Sequence, residues 1–260
     1  MTGSLATEAT ERDASQLWIE LAPYNGKKPT RLLVFLHGAG STPETFTPLA
    51  LAWQFKFTSA AAIVLQGVRP GITGRGFDWF HHSTDREQQR SDARQAAIEV
   101  TRRVQLAQQN FGLSTAMTSL IGFSQGAVLA LEMARLPGPC AQIVVTHAGR
   151  LLSPLTAGEV IEPTIHLLHG EFDSQVLARH SLRAYRALRG ADARVSVDIV
   201  ADGVHSVGQD MVNIGTTRMM QSLFRGRKRI SLEQYGQLLT LSMDSEQPQS
   251  ASADSHEPHH

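Results

Sequence analysis

The feature that most restricts the fold of this chain is a series of short, largely apolar runs spaced along its length. Arg31–Leu36 contains the unbroken run LLVFL, and Ala60–Leu65, Met117–Ile121, Ile143–Val145 and Ile165–Leu168 have similar character. A strand with one wet face alternates apolar and polar residues, whereas a strand that is apolar throughout needs cover on both faces, as in a parallel sheet. Leu17–Leu21 and Val195–Val200 alternate and complete the set of strand candidates. Helical patterns fall between the runs. Over about residues 85–111, Ala93, Ala97, Val100, Val104 and Phe111 share one stripe, Thr84 and Glu87 have capping-box spacing, and Gly112 supplies a stop. A second stripe joins Leu177, Ser181, Ala184, Tyr185 and Leu188, ending at Gly190. Strands alternating with helices predict an α/β fold, a mostly parallel doubly wound sheet flanked by helices, with ligands at the carboxyl ends of its strands.

Composition narrows the function classes. The 260 residues hold 24 basic and 24 acidic side chains, so the net charge is zero with histidine neutral. That balance disfavours a protein devoted to nucleic acid. The one cysteine, Cys140, cannot make an internal disulfide or a Cys-rich zinc module. No apolar run approaches the ~20 residues of a membrane span. The opening residues lack a basic segment followed by an apolar one, which points to a cytoplasmic location rather than secretion. Residues 1–14 read as a flexible polar arm, 15–224 as one catalytic domain, and 225–260 as a polar tail that starts with the basic cluster Arg225, Arg227, Lys228 and Arg229. That cluster reads as a solvated linker, and oligomeric state is left open.

Gly122-Phe123-Ser124-Gln125-Gly126 is a G-x-S-x-G pentapeptide, preceded by the apolar Leu120-Ile121 and followed by the helix-compatible AVLALEMARL. A strand, a sharp turn and a helix lift a serine Oγ clear of the sheet and aim a helix N-terminus at the reaction centre. Glycine at both flanking positions suits a turn too tight for a Cβ. His37-Gly38-Ala39-Gly40 follows LLVFL directly. Acyl transfer needs two preorganised N–H donors for the developing oxyanion. The candidates are the backbone N–H groups of Ala39 and Gln125, with His37 as an organiser of its loop.

An acid and a base are sought downstream of the serine. Asp173, in His169-Gly170-Glu171-Phe172-Asp173, follows the strand candidate IHLL, and His205 follows Val195–Val200. Loops at consecutive strand ends can bring a histidine to the serine and a carboxylate to the histidine. Glu171 and Asp202 are rival acids, and Asp173 is preferred to both. His147, His166, His169 and His180 fit structural roles, and His81-His82 lack the partners of a metal site.

LHGAG, GFSQGA, HGEFDSQV and GVHS occur in the order and approximate spacing of the bacterial carboxylesterase/phospholipase and acyl-protein thioesterase group of α/β-hydrolases. The chain resembles small serine esterases of that group over about residues 30–224. The resemblance implies an α/β-hydrolase fold with no large cap domain, and Ser124, Asp173 and His205 as triad with the Ala39 and Gln125 N–H groups as oxyanion donors. It implies hydrolysis of small-molecule esters or thioesters through an acyl-enzyme, with no metal or organic cofactor. Ser174 and Leu177 stand where relatives commonly carry proline, which bears on loop shape. Gly74–Phe80 resembles the aromatic loop beside the acyl pocket and so implies a pocket role for Trp79 and Phe80, against plain aromatic packing under a long loop. The alternatives are a non-catalytic binding protein on this fold and a serine peptidase.

Overall fold

The computed structural model describes residues 18–225. The predicted arm, 1–14, and all but the first residue of the predicted tail lie outside that range. Contacts divide the chain into two units, 1–223 and 224–260, and only Phe224 and Arg225 of the second are described.

The apolar runs form one seven-stranded sheet. Its members are β1 (Trp18–Leu21), β2 (Arg31–Leu36), β3 (Ala60–Leu65), β6 (Thr118–Phe123), β7 (Ile143–His147), β8 (Thr164–Gly170) and β9 (Val195–Val200). The order is β1-β3-β2-β6-β7-β8-β9. β1 pairs antiparallel with β3, and every other neighbour is parallel. Two short strands, β4 (Arg69–Pro70) and β5 (Phe77–Asp78), form a separate hairpin.

The LLVFL run is explained by the two cores it feeds. Leu32, Val34 and Leu36 enter one apolar cluster, and Leu33 and Phe35 enter the other. Ala61, Ile63 and Leu65 divide from Ala60, Ala62 and Val64 in the same way. Helices α2 (Arg86–Phe111), α3 (Gln125–Ala134) and α4 (Arg179–Gly190) supply the first cluster. Helices α1 (Pro43–Gln54) and α5 (Gln209–Leu223) supply the second. The sheet is therefore doubly wound, as the apolar runs predicted. Among the described residues no helix is long and apolar enough to cross a membrane, and no insertion builds a separate cap over the strand ends.

Two local readings change. The N-cap of α2 is Asp85, not Thr84: the helix begins at Arg86, and Asp85 Oδ1 accepts from Glu87 N at 2.9 Å and Gln88 N at 3.3 Å. Leu177 lies outside α4 and is exposed, because that helix begins only at Arg179. Gly112 closes α2 in the left-handed region at φ 63°, as predicted.

Candidate active site

Parallel strands bring their carboxyl ends to one edge, and the predicted residues gather there. β2 runs into His37–Gly40, β6 into Ser124, β8 into Asp173 and β9 into His205. Ser124 links β6 to α3 with φ 52° and ψ −115°, a conformation that costs a non-glycine residue roughly 1–3 kcal/mol. The turn is held by Ser124 N donating to His147 O at 2.9 Å and by Ala127 N and Val128 N donating to Ser124 O. A Cβ on Gly122 would lie 2.5 Å from Gly126 O, and one on Gly126 would lie 2.2 Å from Leu36 O. The pentapeptide needs both glycines because β2, β6 and α3 meet backbone against backbone.

Three side chains form a continuous relay. His205 Nδ1 lies 2.7 Å from Asp173 Oδ2, and His205 Nε2 lies 3.1 Å from Ser124 Oγ. An ionised carboxylate only accepts, so Nδ1 carries the proton and Nε2 is left to accept from the serine hydroxyl. Asp173 Oδ1 accepts from Gln175 N at 2.9 Å and Val176 N at 2.8 Å. Burial pushes this carboxyl up, but the bonds from His205, Val176 and Gln175 outweigh it and hold Asp173 below its ordinary range. His169 Nε2 lies 3.3 Å from Asp173 Oδ2 and also donates to Val176 O, while the Ser181 hydroxyl meets its Nδ1 at 2.6 Å. Burial lowers the pKa of His169, so a neutral imidazole buttresses the far side of the carboxylate. Glu171 and Asp202 are exposed and make no bond to His205. The third residue of the relay is thus set by which loop carboxylate turns inward.

Ala39 and Gln125 both line the cleft at Ser124. Gln125 is the first residue of α3, where no intrahelical acceptor exists. The loop of Ala39 is braced on both sides. Gly40 N donates to Asp78 Oδ1 at 2.7 Å and to Phe77 O at 3.0 Å, and Phe77 N donates to Ser41 O at 2.8 Å. Asp78 Oδ2 takes a further bond from Ile72 N at 3.2 Å. His37 accepts from Gly67 N through Nε2 at 3.3 Å, so its Nδ1–H donates to Gly38 O at 2.8 Å. Burial lowers its pKa and keeps it neutral, a loop organiser as expected.

The two aromatic candidates part company. Phe80 lines the cleft beside Ser124, but Trp79 does not. The Trp79 indole is fully buried and donates to His37 O at 2.7 Å, beneath the loop that carries Ala39. A ring with one polar edge packs inward when that edge finds a carbonyl. The Gln125 side chain ties the same segment down: its Oε1 accepts from Trp79 N at 2.7 Å and its Nε2 donates to Phe80 O at 2.8 Å. Asp78 and the Gln125 amide are functional neighbours that sequence reasoning missed. The β4–β5 hairpin that carries Asp78 and meets the Gln125 amide pairs residues too few and too irregular to leave a periodic signal.

The cleft has a volume of about 370 Å³, at the small end for a ligand site. Its walls include His82, Arg150 and His180, which no motif or spacing joins to Ser124. Cys140 is buried away from the cleft, with its thiol pushed up to about 11 by burial. No group of three or more His, Cys, Asp or Glu among the described residues is arranged to hold a metal ion.

A largely parallel sheet flanked by helices, with a strand–serine–helix turn at its carboxyl edge, is the architecture of the α/β-hydrolases. Residues 23–219 match the phospholipase/carboxylesterase family, and the chain belongs to that family. It is an ester-hydrolysing enzyme of the bacterial carboxylesterase type. Esterase YpfH of Escherichia coli (strain K12) is 32% identical over 185 residues, spanning 70% of this chain and 78% of that protein. The fold is similar to that of esterase PE8, with a TM-score of 0.72 and 24% identity over 78% of this chain and 97% of that one. It is also similar to the Bacillus cereus carboxylesterase, with a TM-score of 0.68 and 15% identity over 85% and 100% of the two chains.

Proposed function

We propose that the enzyme is a serine hydrolase that cleaves carboxylic esters, and by the same chemistry thioesters, through an acyl-enzyme on Ser124. The observation that carries this reading is the relay from Asp173 through His205 to Ser124, at 2.7 and 3.1 Å, on a strained strand–helix turn. His205 Nε2 takes the hydroxyl proton as Ser124 Oγ bonds to the acyl carbon. The carbonyl electrons move onto oxygen, where the Ala39 and Gln125 N–H groups stabilise the negative charge. Collapse of this intermediate breaks the bond to the leaving group, which receives the proton from His205. Water then attacks the acyl-enzyme, His205 accepts its proton, and release of the acid returns that proton to Ser124. Asp173 keeps the imidazole in the required tautomer and stabilises its protonated form. On this reading residues 15–224 constitute the catalytic domain and Phe80 forms part of the substrate wall.

Ser124→Ala is expected to lower turnover of a 4-nitrophenyl ester by several orders of magnitude while leaving the melting temperature near that of the parent. A fluorophosphonate is expected to label the parent stoichiometrically at Ser124. Near-normal turnover in the variant, or a folded parent that resists the label, would overturn the assignment.

A further inference from the structure

Resting on the ester-hydrolase reading of Ser124, we propose that Arg150 is a specificity residue that binds an anionic group on the substrate, so that the preferred substrates are small esters bearing a carboxylate. Arg150 lines the same cleft as Ser124 and His205. It follows β7 by three residues, in the strand-end loop next to that of Ser124.

Several other partly buried arginines of the enzyme are matched to acceptors. Arg135 meets Glu132 and Glu159, Arg103 meets Glu99, Arg218 meets Asp198, and Arg90 donates to Leu152 O. Arg150 is half-buried and has neither an ion pair nor a hydrogen bond among the described residues. Its nitrogens are not among the buried, unpartnered polar atoms, so the guanidinium keeps contact with solvent and is free to meet an anionic ligand in the cleft.

The surroundings have the same sign. No carboxylate lines the cleft, whose other polar side chains include His82, Gln89, Gln175 and His180. The first turn of α4 adds Arg179 and His180 and contains no acidic residue, and Arg183 follows in the next turn. Cations at a helix N-terminus oppose the helix dipole, so this turn raises the positive potential at the cleft where a stability-driven sequence would lower it. Burial depresses the pKa of His180, and the charges of Arg150, Arg179 and Arg183 depress it further. A planar guanidinium in a small cleft suits two-point recognition of a carboxylate.

The test compares matched esters that differ only in charge. One pair, 4-nitrophenyl hydrogen glutarate and its methyl ester, places the charge on the acyl side. The other, 4-acetoxybenzoate and its methyl ester, places it on the leaving group. The parent is expected to favour the anionic member of at least one pair in kcat/KM. Arg150→Met is expected to reduce that anionic-to-neutral ratio about tenfold or more, and Arg150→Lys to keep part of it. The ratio within one variant cancels any general loss of activity. A parent that hydrolyses the neutral esters better in both pairs, or an Arg150→Met ratio equal to the parent's, would overturn the proposal. Failure of the parent to hydrolyse any of the four would overturn the ester reading beneath it. Glutarate inhibition of fluorophosphonate labelling, compared with inhibition by butyrate, reads anion binding apart from turnover; equal inhibition by the two would also count against Arg150.

Discussion

At the residue scale the site works by imposing single protonation states. Asp173 receives hydrogen bonds from two backbone N–H groups and from His205, so it stays ionised. His37 and His169 are kept neutral by burial. His147 carries this furthest. It ends β7 directly beside the Ser124 turn, is fully buried, and has no hydrogen-bond partner on either ring nitrogen among the described residues. Its ring instead meets Trp53 edge-on, with centroids 6.4 Å apart. Burial drives its pKa from 6.5 down to about 3. Between those values the unfolded chain binds a proton at this position and the folded chain does not. The folded state therefore has its full advantage above pH 6.5 and loses it as pH falls toward 3. His147→Leu is expected to lose less melting temperature than the parent between pH 7.5 and pH 4.5. Equal losses in the two proteins would show that His147 does not govern that acid limb.

Elements act here through what they press against one another. The β4–β5 hairpin docks on the loop of Ala39 by exchanging hydrogen bonds between Phe77 and residues Gly40 and Ser41, and Asp78 adds a carboxylate to Gly40 N. Asp78→Ala removes the acceptor for Gly40 N and Ile72 N and frees the loop to wander. Catalytic donors lose effect when displaced by fractions of an ångström, so kcat is expected to fall about tenfold or more with a smaller change in KM. A rise in KM at unchanged kcat would instead assign Asp78 to ground-state binding. The longer elements were legible: α2 through its apolar stripe and its stop at Gly112, and the strands through their unbroken apolar runs. Helix α1 escaped because Pro48 interrupts its interior and Thr45, not glutamate, completes the Thr42 capping box. Helix α5 escaped because its buried residues include Gly215 and Thr216 as well as Met211, Val212 and Met219. Gly215 is small because the Trp53 ring lies where its Cβ would be, 2.9 Å away.

Across the whole molecule, protection falls from the sheet centre outward. Strands β2 and β6 are almost wholly buried and paired on both sides, whereas β9 is an edge strand with a largely half-exposed face. Hydrogen exchange is expected to be slowest in β2 and β6 and faster by orders of magnitude in β9. Uniform exchange across the sheet would mean that it opens only as a unit. The gradient places Ser124 and the Ala39 loop at the ends of the most protected strands, while His205 follows the less protected edge strand β9. The proposed oxyanion donors are thus anchored in the centre, and the proposed base is carried by the part of the sheet with most freedom.

The sequence by itself determined the succession of sheet strands and the longer helices between them, the need for a sheet covered on both faces, and the candidate residues for acyl transfer. These are properties of periodicity and of residue types at short spacing, which local chemistry controls. Only the tertiary structure decided which carboxylate faces His205, that Trp79 lies under the loop of Ala39 while Phe80 lines the cleft, and that Arg150 and His180 join the walls around Ser124. Those outcomes depend on the pairing order β6-β7-β8-β9 and on the direction in which each strand-end loop turns, and neither is encoded in the spacing of residues along the chain.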